Sequence, residues 1–300
     1  MCNLCPRNCG ADRENTLGFC GVGNKLKVAR AALHMWEEPC LSGYNEEGSG
    51  AIFFSGCSLG CVFCQNINIS RGKAGKEITV DRLVEIFFEL KSQGALNINF
   101  VTPDHYVPQI IKAIDMARER GFDLPFVYNC SGYVKPEIID LLDGYIDIYL
   151  PDFKYMSGEL AKKYSMAEDY PEYAKPGLER MVKQVGGDRM SFNDEGIMTR
   201  GVIVRHMLLP GCMEDSKRVI KYLYETYGND IYISIMSQYT PMPGIEEKYP
   251  ELAHKVDFDE YNELVDYAIE LGIENGFIQE EEAAEEKWLE YLKGQIFNRK

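Results

Sequence analysis

Four histidines and two tryptophans in 300 residues leave little imidazole or indole chemistry to choose from. Basic side chains are scarce too: 32 Lys plus Arg stand against 47 Asp plus Glu, a net charge of −15. A surface that acidic repels phosphate backbones and anionic headgroups, which argues against nucleic acid and membrane partners. No uninterrupted apolar run approaches the ~20 residues of a membrane span. No signal peptide is expected, because Met1 leads straight into Cys2-Asn3-Leu4-Cys5, so reduced thiols and a cytoplasmic address are the expectation. Cysteine, by contrast, is plentiful. The ten cysteines group at metal-ligand spacings instead of spreading as a disulfide framework. With hydrophobic residues at 45%, the chain is long enough for one large domain with a full core, or that domain plus a small appendage.

Directly after the apolar run Ala51-Ile52-Phe53-Phe54 comes Cys57-Ser-Leu-Gly-Cys61-Val-Phe-Cys64. Three thiolates so spaced suit three corners of a cubane iron–sulfur cluster, where ordinary clusters take four. An iron left open is the mark of a reactive site and not of a closed structural one. The plainer readings are a zinc loop with a distant fourth ligand, or three incidental buried thiols. A second set, Cys2-x2-Cys5-x3-Cys9-x10-Cys20, is studded with Pro6, Gly10, Gly18, Gly21 and Gly23. Its four thiolates satisfy tetrahedral zinc or a closed iron–sulfur cluster equally well, and spacing does not choose between them. Cys40, Cys130 and Cys212 read as inert core thiols, although Cys130 is expected in a loop facing a cavity.

From about Gly50 the chain alternates short β-rich runs with amphipathic helical periods. Strands are expected at Ala51–Ser55, Asn97–Val101, Phe126–Asn129, Ile146–Leu150, Val202–Met207, Ile231–Ile235 and near Ile273–Ile278. Helical faces start at Val80 behind a Thr79 cap and end at Gly121, Gly228 and Gly272. Repeated βα units with near-continuous apolar strands imply a parallel sheet covered by helices. Six or seven units fall short of a closed eight-stranded barrel. We therefore expect an α/β fold, a partial (β/α)6-type TIM barrel over 49–280. A Cys-rich metal-binding segment should precede it over 1–48, and an acidic helix should follow at 281–300. The stretch Tyr170–Gly201 breaks the pattern with an extra helix and a hairpin-like insertion. Chemistry gathers at the C-terminal ends of strands in such folds, and the residues there are polar: Thr102-Pro103-Asp104-His105, Asn129-Cys130-Ser131, Pro151-Asp152-Phe153-Lys154, Arg205-His206 and Ser237-Gln238.

Taken together these residues resemble the radical S-adenosylmethionine (radical SAM) superfamily. Within it they resemble the PflX-like branch related to pyruvate formate-lyase activating enzyme. The likeness runs through Cys5-Pro6-Arg7-Asn8-Cys9, Trp36-Glu37-Glu38-Pro39-Cys40, Phe54–Asn66, Tyr149–Tyr155, Arg205–Gly211 and Ser237–Pro241. It implies that Cys57, Cys61 and Cys64 hold a 4Fe–4S cluster and that Phe63 packs over S-adenosylmethionine or the cluster. Lys154 would meet the methionyl carboxylate, and Asp152 a ribose hydroxyl or a small cation. Thr102 falls where the superfamily carries a Gly-Gly-Glu segment, and offers no carboxylate. Asn129, Ser131, Arg205 and Gln238 are candidate cofactor contacts; Lys154, His105, His206 and Cys130 are candidate catalytic groups. The implied electron donor is a low-potential ferredoxin or flavodoxin. The implied reaction is hydrogen abstraction from a glycyl-radical enzyme, with another peptide or a small molecule as the alternative. A non-enzymatic iron–sulfur carrier or sensor, and a zinc-stapled α/β binding domain, are the rival classes.

Overall fold

The structure, a computed structural model, describes residues 1–45 and 47–279. The acidic helix expected at 281–300, and Glu280 beyond the last strand, lie outside the described residues. All seven expected strands form. They are β2 (Gly48–Phe54), β4 (Ala95–Val101), β5 (Phe126–Cys130), β6 (Ile148–Pro151), β8 (Met198–Met207), β9 (Tyr232–Met236) and β10 (Gly276–Ile278). Each pairs in parallel with the next, in the order β2-β4-β5-β6-β8-β9-β10. Among the described residues β10 does not return to β2, so the barrel is open. The α/β partial-barrel expectation holds.

Three further strands lie outside that series. β1 (Lys27–His34) runs antiparallel beside β2, and the short β3 (Lys76–Glu77) pairs with β1. Residues 27–34, read from the sequence as part of the Cys-rich segment, therefore extend the sheet edge. β7 (Ser191–Phe192) folds back on the start of β8, which is the hairpin expected before Gly201.

Helices fill the intervals: α1 (Pro39–Ser42), α2 (Ile67–Ser70), α3 (Val80–Ser92), α4 (Val107–Glu119), α5 (Pro136–Asp140), α6 (Gly158–Ser165), α7 (Tyr170–Val185), α8 (Met213–Tyr227) and α9 (Phe258–Leu271). The Thr79 hydroxyl accepts from the Arg82 amide at 3.1 Å and starts α3. Gly272, at φ +92°, ends α9 with a left-handed turn.

Alternate strand residues face opposite ways. One side, with Ile98, Phe100, Phe126, Tyr128, Tyr149, Val202, Val204 and Ile233, joins the helices in the main core. The other faces the barrel interior. Its lower layer (Val127, Ile148, Leu150, Ile203) packs on Cys40 and Leu41 of α1. The Asn97 amide fixes that plug by donating to the Leu41 carbonyl at 2.8 Å. Each such buried aliphatic side chain contributes roughly 1.5–3 kcal/mol. Above this layer the interior turns polar.

Candidate active site

The three-cysteine loop leaves β2 through Gly56, whose φ of +98° suits glycine and whose missing Cβ leaves room for the Cys20 carbonyl. The Leu59 amide donates to Cys57 Sγ at 3.4 Å, Cys61 Sγ lies 2.9 Å from Ser165 Oγ, and Cys64 Sγ lies 3.4 Å from Ser70 Oγ. Burial pushes the Cys57 thiol up, and the neighbouring Cys61 adds to it. Burial also raises Cys61, against the pull of the Lys154 ammonium. Thiols so placed stay protonated on their own and release their protons when a metal binds. Among the described residues no group of three or more His, Cys, Asp or Glu is placed to hold a metal ion. Three soft thiol donors on one loop suit three corners of an iron–sulfur cluster.

Beside the loop, three segments send charged side chains inward: β8, the end of β6 and the turn before α1. Arg205 of β8 donates from Nε to Asp152 Oδ1 at 3.1 Å, from Nη1 to Glu37 Oε2 at 3.2 Å and from Nη2 to Asn129 Oδ1 at 2.7 Å. Lys154 Nζ donates to Asp152 Oδ2 at 2.7 Å and stands 6.0 Å from the Phe63 ring centre. Glu37 rises from the plug beneath; its Oε1 accepts from Asn99 at 3.1 Å and Asn129 at 3.4 Å. Burial pushes the Asp152 carboxyl up, but Lys154 and Arg205 together hold it below the ordinary carboxylate range. The opposite balance holds for Glu37 and Glu38, where burial outweighs Arg205 and both sit above that range. Asn99 Oδ1, Glu38 Oε2 and Ser131 Oγ are buried without a partner. Such atoms are costly unless a ligand or water meets them, and they suit a polar group in the barrel.

Gly132 fixes the register of this rim. At φ +76°, a Cβ there would collide with the Asp152 carbonyl oxygen and lie 2.7 Å from Tyr170 Oη. That hydroxyl donates to the Ser131 carbonyl and also accepts from the Lys154 amide, both at 2.9 Å, tying the ends of β5 and β6 together.

Residues 51–255 match the family model of the radical SAM superfamily. The chain belongs to the radical SAM superfamily. It is 26% identical over 275 residues to the uncharacterized protein MJ0674 of Methanocaldococcus jannaschii, covering 89% of this chain and 74% of that one. A radical SAM methyltransferase from Sphaerobacter thermophilus superposes with TM-score 0.52 at 14% identity, over 79% of this chain and 67% of the other. Streptococcus suis SuiB, solved with S-adenosylmethionine bound, gives TM-score 0.50 at 14% identity over 75% of this chain; the match spans 48% of SuiB, about half its length. At these identities the likeness concerns the fold.

Within this radical SAM barrel the sequence candidates divide. Phe63, Asn129, Asp152, Lys154 and Arg205 come together around the cysteine loop, with Thr102 half-buried at the end of β4 and Ser131 buried at the end of β5. Two candidates turn the other way. His206, next to the inward Arg205, faces the helices: its Nδ1 meets the Phe153 carbonyl at 2.7 Å and its Nε2 meets Ser216 Oγ of α8 at 2.8 Å. Cys130, next to the inward Asn129, is 1% exposed in the main core, not in the cavity. His105 is 2% exposed, its Nε2 2.8 Å from the Ser55 carbonyl, where it steadies the entry to the cysteine loop. Burial drives both His105 and His206 down to about 4, so both rings are neutral at pH 7. The Gln238 side chain is exposed, and its carbonyl accepts from Gln65 Nε2 at 3.0 Å.

The N-terminal thiols also converge. A Cβ on Gly18 would lie 3.2 Å from Cys20 Sγ and 3.6 Å from Cys9 Sγ, and Cys2 stands close enough to Cys9 to help lower its thiol. Sequence reasoning missed Glu37 as a site residue. Its only signal was an acidic pair, Glu37-Glu38, ahead of a proline-initiated helix.

Proposed function

We propose that this radical SAM protein is an enzyme of the PflX-like branch that abstracts a hydrogen atom from a peptide substrate, with a glycyl-radical enzyme as first choice. When bound, a 4Fe–4S cluster and S-adenosylmethionine supply one-electron reductive cleavage of a C–S bond, releasing methionine and a 5′-deoxyadenosyl radical. Cys57, Cys61 and Cys64 would hold the cluster. Lys154 would neutralise the methionyl carboxylate, and its geometry for that task is set by Asp152, which Arg205 in turn braces against Glu37. Asn99, Ser131 and Glu38 offer unpartnered polar atoms for the rest of the ligand. Helices cover the sheet and the plug fills its lower interior, which favours the dry pocket that a carbon radical requires.

The observation that carries this reading is the position of Lys154, ion-paired at 2.7 Å to Asp152 and near both Phe63 and the Cys61 thiol. The donor of the electron would be a ferredoxin or flavodoxin. The glycyl-radical preference rests on the motif likeness, from Cys57 through Lys154, to the activating-enzyme relatives.

The test is 5′-deoxyadenosine formation by anaerobically reconstituted, dithionite-reduced protein, with Cys57→Ala as control. Product from the wild type alone supports the reading. A glycine-deuterated peptide that passes its label into 5′-deoxyadenosine would support the substrate class. A fully loaded protein that neither binds nor cleaves S-adenosylmethionine would overturn the reading.

A further inference from the structure

The four N-terminal thiols are built against the catalytic loop. The Cys57 amide donates to the Cys20 carbonyl at 3.3 Å, so one residue of each set shares a hydrogen bond. Gly21 lies so close to the segment after Cys64 that a Cβ there would meet the Arg71 carbonyl at 2.9 Å. Arg7, between Cys5 and Cys9, clamps the two loops. Its Nε donates to the Ser58 carbonyl at 2.7 Å and its Nη2 to the Ser165 carbonyl at 3.3 Å, while Nη1 reaches the Met166 carbonyl. Ser165 is the residue whose hydroxyl touches Cys61 Sγ.

The set is also polarised. Cys9 is exposed, whereas Cys5 and Cys20 are buried, and it is Cys20 whose carbonyl meets the catalytic loop. Asp104, whose Oδ2 is buried without a partner, is near enough to join burial in raising both Cys5 and Cys57, and Ser58 Oγ in the loop itself is likewise unpartnered. A zinc staple has no redox chemistry and gains nothing from abutting a second metal centre. A centre with one face to solvent and the other against the catalytic loop suits the passage of electrons inward.

We propose that Cys2, Cys5, Cys9 and Cys20 hold an iron–sulfur cluster that passes single electrons to the cluster at Cys57, Cys61 and Cys64. The acceptor, though not the N-terminal cluster itself, rests on the function proposed above. A low-potential flavodoxin or ferredoxin loses one electron and the N-terminal cluster gains it. That cluster then returns to its oxidised state as the catalytic cluster is reduced. No bond forms or breaks in the transfer.

Three full-length proteins, reconstituted anaerobically with iron and sulfide, test this: the wild type, Cys57→Ala/Cys61→Ala/Cys64→Ala and Cys5→Ala/Cys9→Ala. At four irons per cubane, the wild type should carry about eight irons and each variant about half. Zinc without iron or sulfide in the triple variant would overturn the proposal, and this result does not depend on S-adenosylmethionine chemistry. Equal iron in the wild type and the triple variant would instead show that the Cys57 loop binds no cluster, sinking both the relay and the function it serves. Electron paramagnetic resonance of the dithionite-reduced proteins reads the relay itself. Neighbouring reduced clusters should give a broadened, spin-coupled spectrum in the wild type and simple spectra in the variants. A wild-type spectrum that is the plain sum of the two variants would overturn the relay. Should the Cys5→Ala/Cys9→Ala variant fail to fold, Cys9→Ser at the exposed position replaces it.

Discussion

Replacing Arg205 with methionine removes a cation that touches both Glu37 and Asp152, at 3.2 and 3.1 Å, while keeping most of its volume. The three side chains are 16%, 8% and 17% exposed, so the carboxylates left behind are poorly solvated. Breaking one buried pair costs about 3–5 kcal/mol. Because both pairs share one cation and Asp152 keeps Lys154, the expected total is about 4 kcal/mol and not the sum. At roughly 2–4 °C per kcal/mol for a protein of this size, Tm should fall by roughly 8–16 °C. The pH dependence is the sharper check. Glu37 already sits above the ordinary carboxylate range because burial outweighs Arg205. Without the guanidinium it rises further, so the folded variant binds more protons than the unfolded chain from about pH 4 upward. Stability then falls as pH climbs through that window, and the deficit against wild type should widen between pH 5 and pH 8. Urea unfolding of the metal-free proteins, followed by circular dichroism at each pH, measures it. Adding Glu37→Gln to the variant should recover part of the loss at pH 8 and little at pH 5. A deficit under about 1 kcal/mol, or one equal at the two pH values, would refute a buried, charge-coupled network.

Lys154→Met should weaken S-adenosylmethionine binding about 10–100-fold, the loss of one charge-assisted contact, as read by equilibrium dialysis on the reconstituted protein. His206→Gln should leave product formation per folded enzyme unchanged while costing about 1–3 kcal/mol of stability, since the ring bridges β6 and α8 and touches no site residue. The same residue, held near 4 when folded, removes stability as pH falls from its unfolded value of about 6.5. The Gln variant should therefore show a shallower acid limb in a Tm-against-pH scan. Gly132→Ala should shift the Asp152 strand end, cutting S-adenosylmethionine binding and Tm together; an alanine variant with wild-type affinity would count against the rim geometry.

The architecture was legible because the strands are buried on both faces. Runs such as Ile98–Val101 and Val202–Val204 read as near-continuous apolar segments, separated by helical periods with a real cap at Thr79 and real stops at Gly228 and Gly272. The cysteine loop was legible because its spacing is local. β1 was not, because Lys27–His34 mixes small alanines with basic residues, is nowhere fully buried and alternates poorly.

Cys130 and His206 were misplaced for one physical cause. A strand that is apolar on both faces gives hydrophobicity without phase, so nothing in Val204-Arg205-His206 says which neighbour points inward. The sheet decides it: Ile203 packs on the plug, Arg205 shares its face, and His206 is thereby sent to Ser216 on the helix side. The same step of one residue separates Asn129 from Cys130. Glu37 needed a longer reach, for its cation lies 168 positions away and the two meet only once α1 has closed the barrel. Phase could have been set from the one apolar contact that both layers share. With Cys40 and Leu41 packed on Val127, Ile148 and Ile203, every second residue toward the C-terminal end of those strands is an inward one. Counting from there yields Asn129, Leu150 with Asp152, and Arg205, which is the polar ring around the cysteine loop, and it leaves both misread residues on the outside.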